Sequence, residues 1–241
     1  NEKLRYEVRE YTKKFILTNP KKVDFFIEIE SLPNPTLLLK KKEKKMYISY
    51  CEEKGIKKIK TFREISIFQF QFLLRTILDK LLGKTRGIML HASSVDIEGN
   101  GYIFVGNPGA GKSTAAQNLG MKHTQLSDDT AVIRKVDGTY YLFQTPFVEK
   151  NRVKKQATRV PLKGIFFLRK SFQVKIEQIY DKEYILEELL KQNLTEDQNI
   201  TKRIKPVMQL VSKYKFVYLL YFEKNSESLI KLFTSFSKNY V

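Results

Sequence analysis

The sequence predicts an α/β fold, a mixed sheet flanked by helices, with a small strand-rich region at its N-terminal end. Three observations predict it. The stretch GYIFVGNPGAGKSTAAQNLG (101–120) reads as a buried strand, a glycine-rich loop and a helix in succession. Short apolar runs of strand length, among them GIMLHA, TAVIRKV, YYLFQT and LKGIFFLRK, recur on both sides of it. Helical patterns at about 181–193, 199–212 and 226–237 then alternate with the strand KFVYLLYF.

Taken in order, residues 1–60 give the strand-like runs VDFFIEIE, TLLLK and KMYISY, separated by Pro/Asn or Lys-rich turns. Residues 62–82 read as a long apolar-rich helix expected to pack on the main core. The expected division is therefore a strand-rich region, 1–60, and a second domain, 61–241, that includes this helix. Residues 87–146 are strand-rich around the glycine loop, and VDGTY marks a hairpin. LKGIFFLRK and FQVKIEQIY follow as strands. The stretch TEDQNITKRIK (195–205) reads as a mobile segment or as a helix start.

A chain of 241 residues, 42% of them hydrophobic, suffices for one sizeable core and an appendage. Its single cysteine excludes an internal disulfide framework and favours a reducing compartment, so the expected location is the cytoplasm. No signal peptide is visible, and because the chain begins at Asn1 a removed segment stays open. The most apolar helical stretch, ISIFQFQFLL, has ten residues and is too short to span a bilayer.

The net charge is +18. Residues 86–146 balance acidic against basic side chains, so the excess lies in the flanks, notably KKKEKK (40–45) and KNRVKK (150–155). An acidic partner and a solvated lysine-rich surface both account for it, and a nucleic-acid partner is disfavoured.

Gly106, Gly111, Lys112 and Ser113 satisfy G-x-x-x-x-G-K-[ST]. The loop 106–114, comprising Gly106, Asn107, Pro108, Gly109, Ala110, Gly111, Lys112, Ser113 and Thr114, is a predicted phosphate cradle. Its glycines let backbone N–H groups turn inward as an anion nest, and the following helix adds its N-terminal partial charge. Lys112 can reach β- and γ-phosphates, and the Ser113 hydroxyl can ligate Mg²⁺.

Asp128 and Asp129 follow a short strand. The loop helix carries the chain about 13 Å away from the loop. A return strand of about five residues brings it back about 16 Å. The two aspartates should therefore lie beside Lys112 and Ser113. A phosphoryl-transfer site needs two carboxylates there, one to hold Mg²⁺ and one to accept a hydroxyl proton.

On MLHASSVDIEGNGYIFVGNPGAGKSTAAQNLGMKHTQLSDDTAVI the chain resembles HPr kinase/phosphorylase-type proteins, bacterial serine kinases with a P-loop on a phosphoenolpyruvate-carboxykinase-like fold. The resemblance covers roughly 86–170 and is clearest over 90–133. It implies Asp128 as general base, Asp129 as a Mg²⁺ partner and His91 close to the phosphates, with a homo-oligomer in keeping with the family. Two departures stand out. Asn107-Pro108 replaces the usual Asp-Ser, and the Glu-Ile-Arg-Gly-type signature is not recognisable near RVPLKGIFFLRK. HPr as acceptor and the reverse phosphorolysis are therefore not carried over. VPLKGIFFLRK is similar to the shorter HPr-kinase-related proteins of peptide modification, some of them similar to lasso-peptide precursor kinases.

The resulting expectation is an ATP- and Mg²⁺-dependent serine kinase acting on a small protein or peptide. The alternative is a nucleotide-binding regulatory or assembly module. The connection VEKNRVKKQATRVP (148–161) is either a disordered surface loop or a docking element, with Arg152 and Arg159 the best phosphate clamps in it.

Overall fold

The computed structural model describes residues 9, 12–15, 21–31, 39–42, 45–48, 51–85, 87–147, 149, 153–195, 199–223 and 226–239. The chain divides into two compact units, Asn1–Leu81 and Leu82–Val241. No described helix is long and apolar enough to cross a membrane.

The first unit holds β1 (Phe26–Glu30), the antiparallel pair β2 (Leu39–Lys42) and β3 (Lys45–Ile48), then β4 (Cys51–Glu53) and β5 (Lys58–Phe62). β5 runs parallel to β1 and antiparallel to β4. The helix α1 (Ile67–Thr85) begins five residues later than the apolar pattern suggests. Ser66 is the reason. Its hydroxyl accepts from Gln69 N–H at 3.2 Å, while the Gln69 side chain accepts from Ser66 N–H at 2.8 Å. This reciprocal capping box fixes the start. Leu73 and Ile77, one helical turn apart, bury against Ile59, whose register partner is Ile27. Its apolar stripe closes the small sheet of its own unit.

The second unit runs β6 (Ile88–His91), β7 (Ser93–Ile97), β8 (Asn100–Val105), α2 (Lys112–Gly120), β9 (Thr124–Ser127), β10 (Thr130–Val136), β11 (Thr139–Phe143), β12 (Arg159–Lys170), β13 (Lys175–Gln178), α3 (Lys182–Lys191), α4 (Ile200–Lys213), β14 (Val217–Phe222) and α5 (Ser226–Asn239). Its described strands form a nine-stranded mixed sheet. The main path is β6-β10-β11-β12-β8-β7-β9, with β14 on β12 and β13 on β14. β8 and β14 are both parallel to β12.

Strand periodicity sorts the core. Ile103, Val105, Ile165, Phe167 and Val217 face one cluster, covered by Ile185 and Leu189 of α3 and Val207, Leu210 and Val211 of α4. Their neighbours Tyr102, Phe104, Phe166, Leu168, Tyr218 and Leu220 face the other, covered by Ala115, Ala116 and Leu119 of α2 and Leu229 and Phe233 of α5. Strands buried on both faces need continuous apolar runs, which is what these segments have.

Local signals hold at most joints. Asp137 and Gly138 turn the β10–β11 hairpin with φ of 47° and 86°, as the Asp-Gly pair requires. Asn199 caps α4, its side chain accepting from Thr201 N–H at 3.0 Å, so a helix start is the better of the two readings of 195–205; residues 196–198 lie outside the described residues. Gly120 is the last residue of α2, and the Met121 N–H donates to the Asn118 carbonyl at 3.4 Å beyond it.

Phe166 is fully buried, and its ring contacts Tyr102, Phe104, Tyr218, Phe233 and Phe236. Phe166→Ala is expected to destabilise this unit by about 3–5 kcal/mol, the usual cost of an aromatic-sized cavity. Urea denaturation with the midpoint displaced by no more than that of a surface substitution would contradict it.

Candidate active site

β8 ends at Val105 and the chain turns through the glycine loop into α2. Asn107, Pro108 and Gly109 are exposed, and the Ala110 N–H closes a turn on the Asn107 carbonyl at 3.0 Å. Gly109 and Gly111 have φ of +78° and +101°, a region that L side chains rarely adopt. A Cβ on Gly111 would also stand 2.7 Å from the Phe222 ring. Both positions therefore need glycine for the loop to keep this shape.

Lys112 is only 7% exposed. Its ammonium donates to the Gly106 carbonyl at 2.7 Å and the Asn107 carbonyl at 3.4 Å, which leaves one of its three protons for another acceptor. Burial lowers its pKa, and the nearby Asp129 carboxylate partly restores it. A half-desolvated ammonium beneath exposed loop N–H groups fits a polyanion.

The two aspartates lie where two chain bends face each other. One bend joins β6 to β7 at Ala92, and the other joins β9 to β10 at Asp128–Asp129. Ser94 pairs with Ser127 and His91 with Thr130 across them. Ala92 N–H donates to the Asp129 carbonyl at 3.3 Å, and the Ser93 hydroxyl donates to the Asp128 carbonyl at 2.5 Å. Ser93 pairs in turn with Phe104, two residues before Gly106. Asp128 is thus about two strand spacings, roughly 10 Å, from the root of the loop.

His91 joins the group. Its Nδ1 is 3.2 Å from both the carbonyl and the Oδ1 of Asp129. Asp128 is 3% exposed, whereas the Asp129 side chain is about one-third exposed. Among the described residues no three His, Cys, Asp or Glu side chains gather as a metal cage. Mg²⁺ takes one or two protein ligands and completes its shell from phosphates and water. Ser113, half-buried in the first turn of α2, and Asp129 are the residues that fit it.

One residue here has no counterpart among the sequence candidates. Glu149 accepts a hydrogen bond from Asp128 N–H, and its carboxylate is fully buried. Lys155 lies 3.5 Å away, itself buried. Burial pushes the Glu149 carboxyl up to about 7, against the pull of Lys155 and the Asp128 N–H, and burial lowers Lys155. The sequence does hold one sign of it: Glu149 is the single acid in the otherwise basic 148–161 connection.

The described part of that connection is tied down. The Gln144 side chain donates to the Lys154 carbonyl at 2.8 Å and accepts from Gln156 and Ala157 N–H groups. Arg159 lies over the Tyr141 and Phe143 rings, 5.1 and 5.9 Å from their centroids. Arg152 lies outside the described residues.

A family model described as "SynChlorMet cassette protein ScmC" matches residues 51–184, more than half of the chain. The chain belongs to the ScmC family. An HPr kinase/phosphorylase of Mycoplasmopsis pulmonis (strain UAB CTIP) is 33% identical over 129 residues, 52% of this chain and 41% of that protein. That match bears out the HPr-kinase-like resemblance of the sequence, and the chain spans less than half the length of that relative. Among solved structures, the Hpr(Ser) kinase/phosphatase from Coxiella burnetii matches with a TM-score of 0.35 and 13% identity, over 63% of this chain and 94% of that one.

Glu149 makes stability depend on pH. Its folded pKa, about 7, stands above the ordinary 4.5, so the folded state holds the extra proton between these values. The stabilisation is therefore complete below about pH 4.5 and is lost as pH rises through 7, by about 3 kcal/mol at most. Glu149→Gln keeps an acceptor for Asp128 N–H and should flatten this slope. Denaturation of both proteins between pH 5 and 8 checks it, and equal slopes would contradict it.

Proposed function

We propose that this ScmC-family chain is an ATP- and Mg²⁺-dependent serine kinase whose acceptor is a serine hydroxyl of a small protein or peptide. The observation that carries the reading is the convergence of Lys112, Asp128, Asp129 and His91 at one edge of the sheet, with Asp129 close enough to act on the Lys112 ammonium. The 33% identical HPr kinase/phosphorylase adds weight to phosphoryl transfer as the reaction class. The proposal includes the phosphoenolpyruvate-carboxykinase-like form of the P-loop fold, supported by the antiparallel β7 between the loop strand and the aspartate corner.

In this mechanism the loop N–H groups from Gly106 to Lys112 hold the triphosphate, and the Lys112 ammonium neutralises charge on the β- and γ-phosphates. Mg²⁺, held by Ser113 and Asp129, supplies further neutralisation of the phosphate oxygens when bound. Asp128 accepts the serine proton as the acceptor oxygen bonds to the γ-phosphorus in line, while the bond from that phosphorus to the β,γ-bridging oxygen breaks and ADP leaves. Its backbone is fixed on both sides, by Ser93 at the carbonyl and by Glu149 at the N–H. His91 holds Asp129 in place through Nδ1.

Three variants separate these roles. Lys112→Ala should weaken Mg-ATP binding by about tenfold or more, since charge-assisted contacts are the strong ones. Asp128→Asn should lower transfer by about a hundredfold or more, with Mg-ATP affinity nearly unchanged, because an amide is a very poor proton acceptor. Asp129→Asn should raise the Mg²⁺ concentration needed for half-maximal transfer. Calorimetry with Mg-ATP, and mass spectrometry of candidate serine peptides for added phosphate, check all three. Wild-type transfer by Asp128→Asn would remove the base assignment.

A further inference from the structure

Beside the glycine loop lies a cavity of about 570 Å³ that none of the residues discussed so far explains. Gly109, Ala110, Gly111 and Thr114 form one wall, and Lys170, Ser171, Phe172, Phe222 and Glu223 form the rest. It lies away from the aspartates. β8 and β14 lie on either side of β12 and parallel to it, so the C-terminal ends of all three share one edge of the sheet. The phosphate loop leaves the end of β8, Lys170–Phe172 leave the end of β12, and Glu223 leaves the end of β14. The Asp128–Asp129 corner is reached from β8 in the other direction, through β7 and β9.

The geometry points to this cavity as the nucleoside subsite of the donor, with the base against Phe172. The inference rests on the nucleotide reading given above and adds to it the direction in which the donor lies. Four features carry it. The cavity is continuous with the phosphate loop, since Gly109–Gly111 and Thr114 line both. Its volume falls within the range usual for small-molecule sites. Its floor, Phe222, is a buried ring packed against Gly111, so the loop and the cavity share a wall. At its rim Phe172 is 96% exposed, an aromatic face with nothing covering it, and a nucleobase stacks on such a face. Glu223 adds an acceptor for the hydroxyl or amino donors of a nucleoside.

With the nucleoside on the β12–β14 side, the γ-phosphate is directed along the loop toward Lys112 and the Asp128–Asp129 corner. The donor then lies across the C-terminal ends of the strands, the usual crevice in open α/β sheets.

The chain contains no tryptophan, so Phe172→Trp introduces a single reporter at this rim. Its indole emission is expected to be quenched by saturating Mg-ATP and not by Mg-tripolyphosphate. In calorimetry Phe172→Ala should bind Mg-ATP about tenfold more weakly than the wild type and tripolyphosphate equally well. Because Phe172 is exposed, neither variant disturbs the core. The inference is overturned if Mg-ATP leaves the indole emission of Phe172→Trp unchanged and binds Phe172→Ala as tightly as the wild type, while tripolyphosphate still binds. The phosphate loop reading would survive that result. If the wild type binds neither ligand, both fall.

Discussion

The larger unit depends on β12 lying parallel between β8 and β14. This pairing is strongly specified because the strands are buried on both faces. Along β12, Ile165 and Phe167 enter one cluster while Phe166 and Leu168 enter the other. A slip of one residue would exchange the two sets and drive the Phe166 ring out from among its five aromatic neighbours. The same register decides where the chain ends its strands. Because all three run in one direction, the glycine loop, the turn at Lys170–Phe172 and Glu223 emerge together at one edge. Phe222, brought there by β14, lies against Gly111 and makes that glycine a packing requirement as well as a backbone one.

The second constraint is the curl of the sheet. β9 lies at one end of the main path, yet β10, which follows it after only Asp128 and Asp129, pairs with β6 at the other end. A flat sheet could not have its two ends joined by so short a link. The carboxylates therefore sit at the point where the sheet closes on itself, opposite the β6–β7 bend that carries His91 and Ser93. The backbone bonds at this corner are what hold the acids at the loop. Glu149 and Lys155 add a buried, imperfectly matched charge pair beneath it. Such a pair is weak support for stability. Perturbed groups of this kind concentrate at functional sites, where position matters more than stability.

Much of this was legible from local chemistry. The strand, loop and helix of 101–120, the Asp-Gly hairpin and the two-faced apolar strands each carry their own signal, as does the return of Asp128–Asp129 toward Lys112. Boundaries were less legible. The start of α1 depends on whether Ser66 and Gln69 cap each other. Glu149 was missed because it sits in no periodic element. A single acid in a basic connection gains meaning only when folding buries it on the Asp128 N–H.

The sequence by itself determined the elements and the glycine-and-lysine pattern on which the proposed phosphate chemistry rests. These rest on short-range rules: side-chain period, turn residues, and the spacing of glycines before a lysine. Only the tertiary structure decided which partner each element found. It gave α1 to the small sheet, because Leu73 and Ile77 meet Ile59 there. It set Phe172 and Glu223 beside the glycine loop, although both are remote from it, and from each other, along the chain. Parallel pairing brings together strand ends that are far apart in sequence, and no local pattern records which strands will be neighbours.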